Sequence, residues 1–138
     1  MKRLSIILVL IFQYFFSSSQ GSREIIRFES ANPFSFNDII DNLENQESQE
    51  VFGQLTFPED SAHMNKKYPL IIGVAGSLGW ADHHFEYMKM YRDMGIATFE
   101  LNSFQSRDVT STVGTQVEVT TASMILDAYR ACLLYTSP

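Results

Sequence analysis

The sequence contains a single cysteine, Cys132, among 138 residues. One cysteine cannot close an internal disulfide, so a packed apolar core has to hold the fold together. Basic residues are also scarce, with 10 Lys and Arg against 16 Asp and Glu, and the formal net charge is −6. Because nucleic-acid binding requires a concentrated basic surface, this balance indicates no nucleic-acid partner. The length is sufficient for one domain.

No apolar run is long enough for a comfortable transmembrane helix, which needs about 20 apolar residues. The longest run, residues 4–16, follows Lys2 and Arg3 and precedes the small residues 17–21. A basic start, an apolar stretch and small residues are typical of a secretory signal peptide. We therefore predict a signal peptide over residues 1–20, export to the periplasm or by secretion, and no stable membrane span after cleavage. An uncleaved anchor is the alternative.

Residues 68–101 have the pattern of a strand, a glycine-rich turn, a helix and a second strand. The run 68–74 is apolar and rich in β-branched residues, which suits a strand buried on both faces of a parallel sheet. The helix is predicted to begin at Asp82 as its N-cap and to end at Gly95. Two strands joined by such a helix indicate a crossover in a parallel sheet, with chemistry at the carboxyl end of the first strand.

Shorter elements are predicted on both sides of this unit. Residues 23–29 and 50–57 have strand patterns and are expected to pair antiparallel, and residues 37–43 are expected to form one or two helical turns. Residues 102–114 are rich in Ser, Thr and Asn and form a predicted loop. The predicted fold class is therefore α/β, a mostly parallel sheet with antiparallel N-terminal strands.

The last predicted helix covers residues 115–134, with Asp127 and Arg130 on the side opposite its apolar stripe. The stripe comprises Ala122, Ile125, Leu126, Tyr129 and Leu133. The ending 132–138 looks like a linker-derived sequence. We expect the natural sequence to depart from this one at about Ala131, which would make Cys132 non-native.

Five stretches of the chain carry a family resemblance when their order and spacing are taken together. They are residues 30–36 (SANPFSF), 69–79 (PLIIGVAGSLG), 94–99 (MGIATF), 102–112 (NSFQSRDVTST) and 127–131 (DAYRA). This pattern resembles the dienelactone hydrolase branch of the α/β-hydrolase superfamily. The resemblance covers most of the mature chain, but only the first half of a family member. It implies that residues 21–138 are the N-terminal part of an α/β-hydrolase domain, truncated before the nucleophile strand.

The resemblance also implies an ester or lactone hydrolase that forms a covalent acyl-enzyme and needs no metal or organic cofactor. Its nucleophile, a Ser or Cys on a sharp turn after the next strand, and the Asp and His that follow cannot be placed in this chain. The part that can be placed is the oxyanion hole, where backbone N–H groups of Gly76 and Ser77 are the candidates. Relatives usually carry His-Gly where this chain has Ala75-Gly76, but a backbone donor does not need that side chain.

Two residues are candidates for binding the small-molecule substrate. Arg107 follows a strand at the carboxyl edge of the sheet, where its guanidinium could pair with a substrate carboxylate. The alternative is a surface arginine paired with Asp108 or with solvent. Trp80 lies at the active-site edge of the glycine turn and could line a pocket.

Ser77 could instead be the nucleophile itself, because Ala75-Gly-Ser-Leu-Gly79 is one residue short of G-x-S-x-G. Against this, the only later histidines are His83 and His84, which begin the very next helix, so the order Ser, Asp, His cannot be completed.

Two non-hydrolase hypotheses also remain. Gly73, Gly76 and Gly79, with Glu100 21 residues further on, suggest a dinucleotide-binding turn, although the spacing differs from G-x-G-x-x-G. The other is a non-catalytic exported binding module. For the truncated hydrolase, an exposed apolar sheet edge predicts self-association.

Overall fold

In a computed structural model, which describes residues 22–59 and 67–136, the chain forms one mixed β-sheet with three α-helices. The strands are β1 (Arg23–Ala31), β2 (Ser48–Thr56), β3 (Leu70–Val74) and β4 (Ala97–Leu101). The helices are α1 (Phe36–Asp41), α2 (Asp82–Asp93) and α3 (Thr121–Thr136). Short 3-10 turns follow α1 and β4, at Leu43–Asn45 and Gln105–Arg107. The predicted signal peptide, residues 1–20, lies outside the described residues.

The strands lie in the order β1-β2-β4-β3. β1 pairs antiparallel with β2, placing Phe28 opposite Val51, and β2 pairs antiparallel with β4. β3 and β4 are parallel, with Ile72 opposite Phe99, and α2 connects them along the chain. This confirms the predicted α/β class, the antiparallel N-terminal strands and the parallel pair. The predicted mostly parallel character is wrong for the described strands, because two of their three pairings are antiparallel.

The prediction that the first strand of the parallel pair is buried on both faces is wrong. Among the described strands β3 lies at an edge of the sheet, and its five residues are half-buried or exposed. The strand with all residues buried is β4. β4 is buried because it has a paired strand on each side, and because both α2 and α3 pack against it.

The core lies between the sheet and α3. It is built from Phe28, Val51, Phe99, Leu101 and Ala131. The rings of Phe28 and Phe99 pack at a centroid distance of 6.5 Å, joining the outer strand β1 to the interior strand β4. Gly53 lies beside Phe99, where a Cβ would come within 2.2 Å of the ring.

The predicted ends of α2 are correct at one terminus and wrong at the other. Gly95 adopts a φ of 82°, and its N–H donates to the Arg92 carbonyl at 2.9 Å, as expected for a glycine that closes a helix. The N-cap, however, is Ala81 and not Asp82. Ala81 has no capping oxygen, and its own N–H donates to Nδ1 of His84 at 3.0 Å.

α3 begins six residues later than predicted because Thr120 caps it. The Thr120 hydroxyl accepts from the Ser123 N–H at 3.0 Å and donates to the Pro33 carbonyl at 2.6 Å. The predicted polar side of this helix is also wrong, since Asp127 is fully buried while Ile125 is half exposed. The physical reason is a buried ion pair of Asp127, described below.

Candidate functional site

The turn after β3 is tight and faces solvent. The Gly79 N–H donates to the Gly76 carbonyl at 2.8 Å, and Gly79 has a φ of 76°, a conformation that favours glycine. Gly76, Ser77 and Leu78 are all exposed. The turn thus presents backbone groups at the carboxyl end of a sheet strand, where open α/β sheets place their chemistry.

Ser77 joins this turn to the loop that follows β4. Its carbonyl accepts from the Thr112 N–H at 2.9 Å and from the Ser111 hydroxyl at 3.0 Å. In residues 22–59 and 67–136, no hydrogen-bond acceptor pairs with the Ser77 N–H. The carbonyl therefore anchors the residue, while the amide is available for a ligand.

A cavity of about 160 Å³ lies between the two loops. Most of its lining is apolar, including Val74 and Leu78 beside the turn, Leu101 and Phe104 beside β4, and Met124 of α3. The polar part of the lining consists of neutral groups, and no charged side chain contributes within the described part of the chain. Gly76 and Ser77 adjoin the cavity in sequence but are not part of its lining.

Trp80 forms a fixed wall of this cavity. Its Nε1–H donates to the Leu101 carbonyl at 3.0 Å, and its ring stacks on Phe85 at a centroid distance of 5.7 Å. The structure therefore places Trp80 where a pocket-lining role requires it.

The structure does not support a substrate-binding role for Arg107. Its side chain is 4% exposed, and both Nη groups bind the Asp127 carboxylate, at 2.8 and 3.1 Å. Nε donates to Asn32 Oδ1 at 2.6 Å, and the remaining Nη hydrogens bind the carbonyls of Ser103 and Ala31 at 2.9 and 3.0 Å. Because a guanidinium has five N–H donors, none remains for a substrate carboxylate.

The alternative partner considered for Arg107 is also incorrect. Asp108 is exposed and adopts a left-handed conformation at the end of the 3-10 turn, with a φ of 57°. The actual partner, Asp127, lies 20 residues along the chain and also accepts from the Ser30 hydroxyl at 2.6 Å. No local pattern could have found this network, because its members come from β1, the loop after β4 and α3.

Ser103 is a cavity residue that sequence reasoning missed. It is 4% exposed, and its hydroxyl has no partner in the described part of the chain. Its position just beyond the end of β4 was the available signal, because residues after parallel strands often belong to sites.

A second, larger groove of about 420 Å³ contains Glu100, together with Phe52 and Phe85. Burial raises the pKa of the Glu100 carboxyl above 4.5, although nearby Arg92 and Arg23 act to lower it. Arg92 is the closer contact, with 3.8 Å between its Nη1 and Oε1 of Glu100.

This placement does not fit the dinucleotide hypothesis. Gly73 lies inside β3 beneath Met88 and Trp80, so it does not belong to the loop that contains Gly76 and Gly79. Glu100 is absent from the lining of the cavity beside that loop.

Among the described residues, no cluster of three His, Cys, Asp or Glu is arranged to hold a metal ion. No described helix has the length and apolar character to cross a membrane. Comparisons of the chain with models of protein families, with curated proteins and with solved structures found no match.

Proposed function

We propose that this chain is the N-terminal half of an α/β-hydrolase of dienelactone hydrolase type, and that the whole protein hydrolyses an ester or lactone. The observation that carries the proposal is the exposed glycine turn after β3, where the Ser77 N–H lacks a partner in the described part of the chain, next to a neutral cavity. Stabilisation of a tetrahedral oxyanion requires backbone N–H donors directed at the developing charge. An exposed N–H without a protein partner can serve as such a donor.

The path of α3 supports the same proposal. The helix packs against β3, and Ala131 shares an apolar pocket with Leu70 at the beginning of that strand. A strand that followed α3 would therefore meet the edge of β3 that has no partner among the described strands, and could pair with it in parallel. The carboxyl end of such a strand would lie beside Gly76.

In the hydrolase family, that next strand carries the nucleophile. The proposed reaction begins when the nucleophile attacks the ester carbonyl carbon and a histidine accepts the nucleophile's proton. The Ser77 N–H, with Gly76 as the second candidate donor, binds the oxyanion. The intermediate expels the alcohol, which takes the proton from the histidine, and water then releases the acid from the acyl-enzyme.

The test is to sequence the gene through and beyond codon 131 and to express the extended frame. We expect a strand followed by G-x-S-x-G or G-x-C-x-G, with an Asp and a His further on. The extended protein should hydrolyse p-nitrophenyl acetate. Replacing its nucleophile by Ala should lower kcat by about 10⁴-fold or more.

The matched control is the present chain, which should show no turnover. Two results would overturn the proposal. One is a true stop codon after Pro138, which would leave a non-catalytic exported binding module as the function to test. The other is an extended frame without a nucleophile motif.

A further inference from the structure

We infer that the larger groove, which contains Glu100, binds a small zwitterion with an apolar side chain, the chemistry of an apolar α-amino acid. In this assignment Glu100 accepts hydrogen bonds from the ammonium group, and Arg92 and Arg23 bind the carboxylate. Gly76 and Ser77 are absent from the lining of this groove. The inference therefore does not rest on the proposed hydrolase function.

The alternation of side chains along β4 turns Glu100 away from the core. Phe99 and Leu101 belong to the core between the sheet and α3, so Glu100 lies on the opposite face of the sheet. Ile25 of β1 and Gln54 of β2 lie in the same row of the sheet, and both line the groove with Glu100. The sheet thus forms the floor of the groove, and α2, which packs against β4, forms one side.

Glu100 is buried without a hydrogen bond of normal length to its carboxylate. The residue is 8% exposed, and its nearest donors in the described part of the chain are Gln54 Nε2 at 3.4 Å and Arg92 Nη1 at 3.8 Å. Both distances exceed the usual N–H···O range of about 2.7–3.2 Å. Asp127, in contrast, accepts bonds of 2.6, 2.8 and 3.1 Å. A buried carboxylate with such weak contacts is unfavourable and favours a ligand that donates to it.

Two arginines of the groove retain donors for an anion. Arg92 Nη1 donates to the Thr98 hydroxyl at 2.9 Å, but its Nε and Nη2 have no hydrogen-bond acceptor among the residues that the structure describes. Arg23 lines the groove from β1, is exposed, and likewise has no ion-pair partner there. Arg107 differs, because all five of its donors bind protein acceptors. Guanidinium groups with unused donors can bind a carboxylate.

The mixture of charges in the groove selects a zwitterion. A cation without an anionic group would approach two guanidinium groups, and an anion without a cationic group would approach the Glu100 carboxylate. A neutral molecule would leave both signs of charge without a charged partner. An α-amino acid has its ammonium and carboxylate on one carbon atom, and the 3.8 Å between Arg92 Nη1 and Glu100 Oε1 places complementary charges at a similarly short separation.

The remaining lining fits an apolar side chain. Phe85 is 42% exposed, Ile25 is 53% exposed, and Phe52 is half-buried. The Phe85 ring stacks on Trp80, which holds it in position. An apolar ligand group that covers these side chains removes their surface from water, which favours binding. The volume of about 420 Å³ lies within the range of about 300–1,000 Å³ that is typical of ligand sites.

The experiment is a ligand-observed NMR titration of the full chain at pH 7 with three related compounds. They are L-phenylalanine, phenethylamine, which lacks the carboxylate, and 3-phenylpropanoate, which lacks the ammonium group. We expect millimolar binding of L-phenylalanine. Each of the other two should bind about tenfold more weakly or worse, because each loses the hydrogen bonds of one charged group.

Glu100→Gln tests recognition of the ammonium group. It should bring the affinities for L-phenylalanine and 3-phenylpropanoate within about threefold of each other, because the amide has no charge to pair with the ammonium. Glu24→Gln is the matched control. It removes the same charge from an exposed position of β1 on the other face of the sheet, and should leave the affinities unchanged.

Arg92→Lys tests recognition of the carboxylate. The substitution keeps the positive charge but removes the forked guanidinium, so it should weaken L-phenylalanine binding about three- to tenfold and leave phenethylamine binding unchanged. Arg27→Lys is the matched control, because Arg27 is exposed and does not line the groove. That variant should bind L-phenylalanine as the wild type does.

Thermal melting confirms that each variant is folded, and the comparison of the three compounds on the wild-type chain decides the inference even for a variant that does not fold. Equal binding of phenethylamine or of 3-phenylpropanoate and L-phenylalanine by the wild type would overturn it. So would no L-phenylalanine binding by the folded chain, or a folded Glu100→Gln variant that keeps the wild-type preference.

The inference and the proposed function can fail separately. L-Phenylalanine binding by the chain, together with an extended frame that lacks a nucleophile, would preserve the groove assignment and reject the hydrolase. An active extended hydrolase that binds none of the three compounds in this groove would preserve the hydrolase and reject the groove assignment.

Discussion

Arg107 and Asp127 form a bidentate ion pair in which the two side chains are only 4% and 0% exposed. The same guanidinium binds the carbonyls of Ala31 and Ser103. One side chain thus joins the end of β1, the loop after β4 and the middle of α3. The loop after β4 lines the candidate cavity. The ion pair therefore fixes the position of that loop, although neither of its side chains lines the cavity.

Arg107→Ala should lower the free energy of unfolding by about 3–5 kcal/mol, because it leaves the Asp127 carboxylate buried without a charged partner. Urea denaturation measures this change. The control is Arg27→Ala, which removes an exposed pair with Glu50 and should cost about 1 kcal/mol or less. Equal effects of the two substitutions would show that the buried pair does not organise the fold.

Glu100→Gln should increase stability at neutral pH. Burial raises the pKa of Glu100 above 4.5, so the folded state binds this proton more tightly than the unfolded state does. The stability associated with that proton is fully present below pH 4.5 and is lost as the pH rises through the folded-state pKa. The advantage of Glu100→Gln should therefore be small at pH 4 and grow towards pH 7.

Thermal or urea unfolding of both proteins across this pH range measures the effect of the Glu100 substitution. Glu24→Gln, which removes an exposed negative charge from β1, is the control for the change in net charge. An advantage of Glu100→Gln that is constant with pH, or that shrinks as the pH rises, would contradict the prediction.

Gly53→Ala should destabilise the fold by about 1–3 kcal/mol, because its Cβ would lie 2.2 to 2.9 Å from three atoms of the buried Phe99 ring. Gly76→Ala is the matched control, since nothing lies within 4 Å of its added Cβ. That substitution should change stability by less than about 1 kcal/mol. Melting temperatures of the two variants compare the sites directly, and a harmless Gly53→Ala would mean that Phe99 repacks freely.

Besides the exposed sheet edge, the outer surface of α3 gives the chain a second apolar surface through which it should associate with another copy. Ile125 and Tyr129, one helical turn apart, are 50% and 60% exposed there. The double substitution Ile125→Lys, Tyr129→Lys should shift the sedimentation distribution towards monomer. Val117→Lys, at a 68% exposed loop position, should not. A wild-type chain that sediments as a single monomeric species would refute the prediction.

Several features of the fold were predictable because their signals are local. The strand, turn, helix and strand of residues 68–101 follow from side-chain spacing and from glycines at 79 and 95 that adopt positive φ. β1 and β2 were likewise predictable as strands, although both extend beyond the predicted limits. Each of these signals comes from residues that are close together in sequence. It can therefore be recognised without knowing which distant residues will pack against them.

The sequence by itself therefore determined the α/β class, the antiparallel pairing of the two N-terminal strands and the position of the glycine turn. Tertiary structure decided that β4 rather than β3 is interior, that Asp127 faces inward and that Arg107 is unavailable to a substrate. It also decided that the Ser103 hydroxyl is buried beside a neutral cavity. The physical reason is that burial of a charge or a hydroxyl depends on partners tens of residues away, and only the packed chain brings them together.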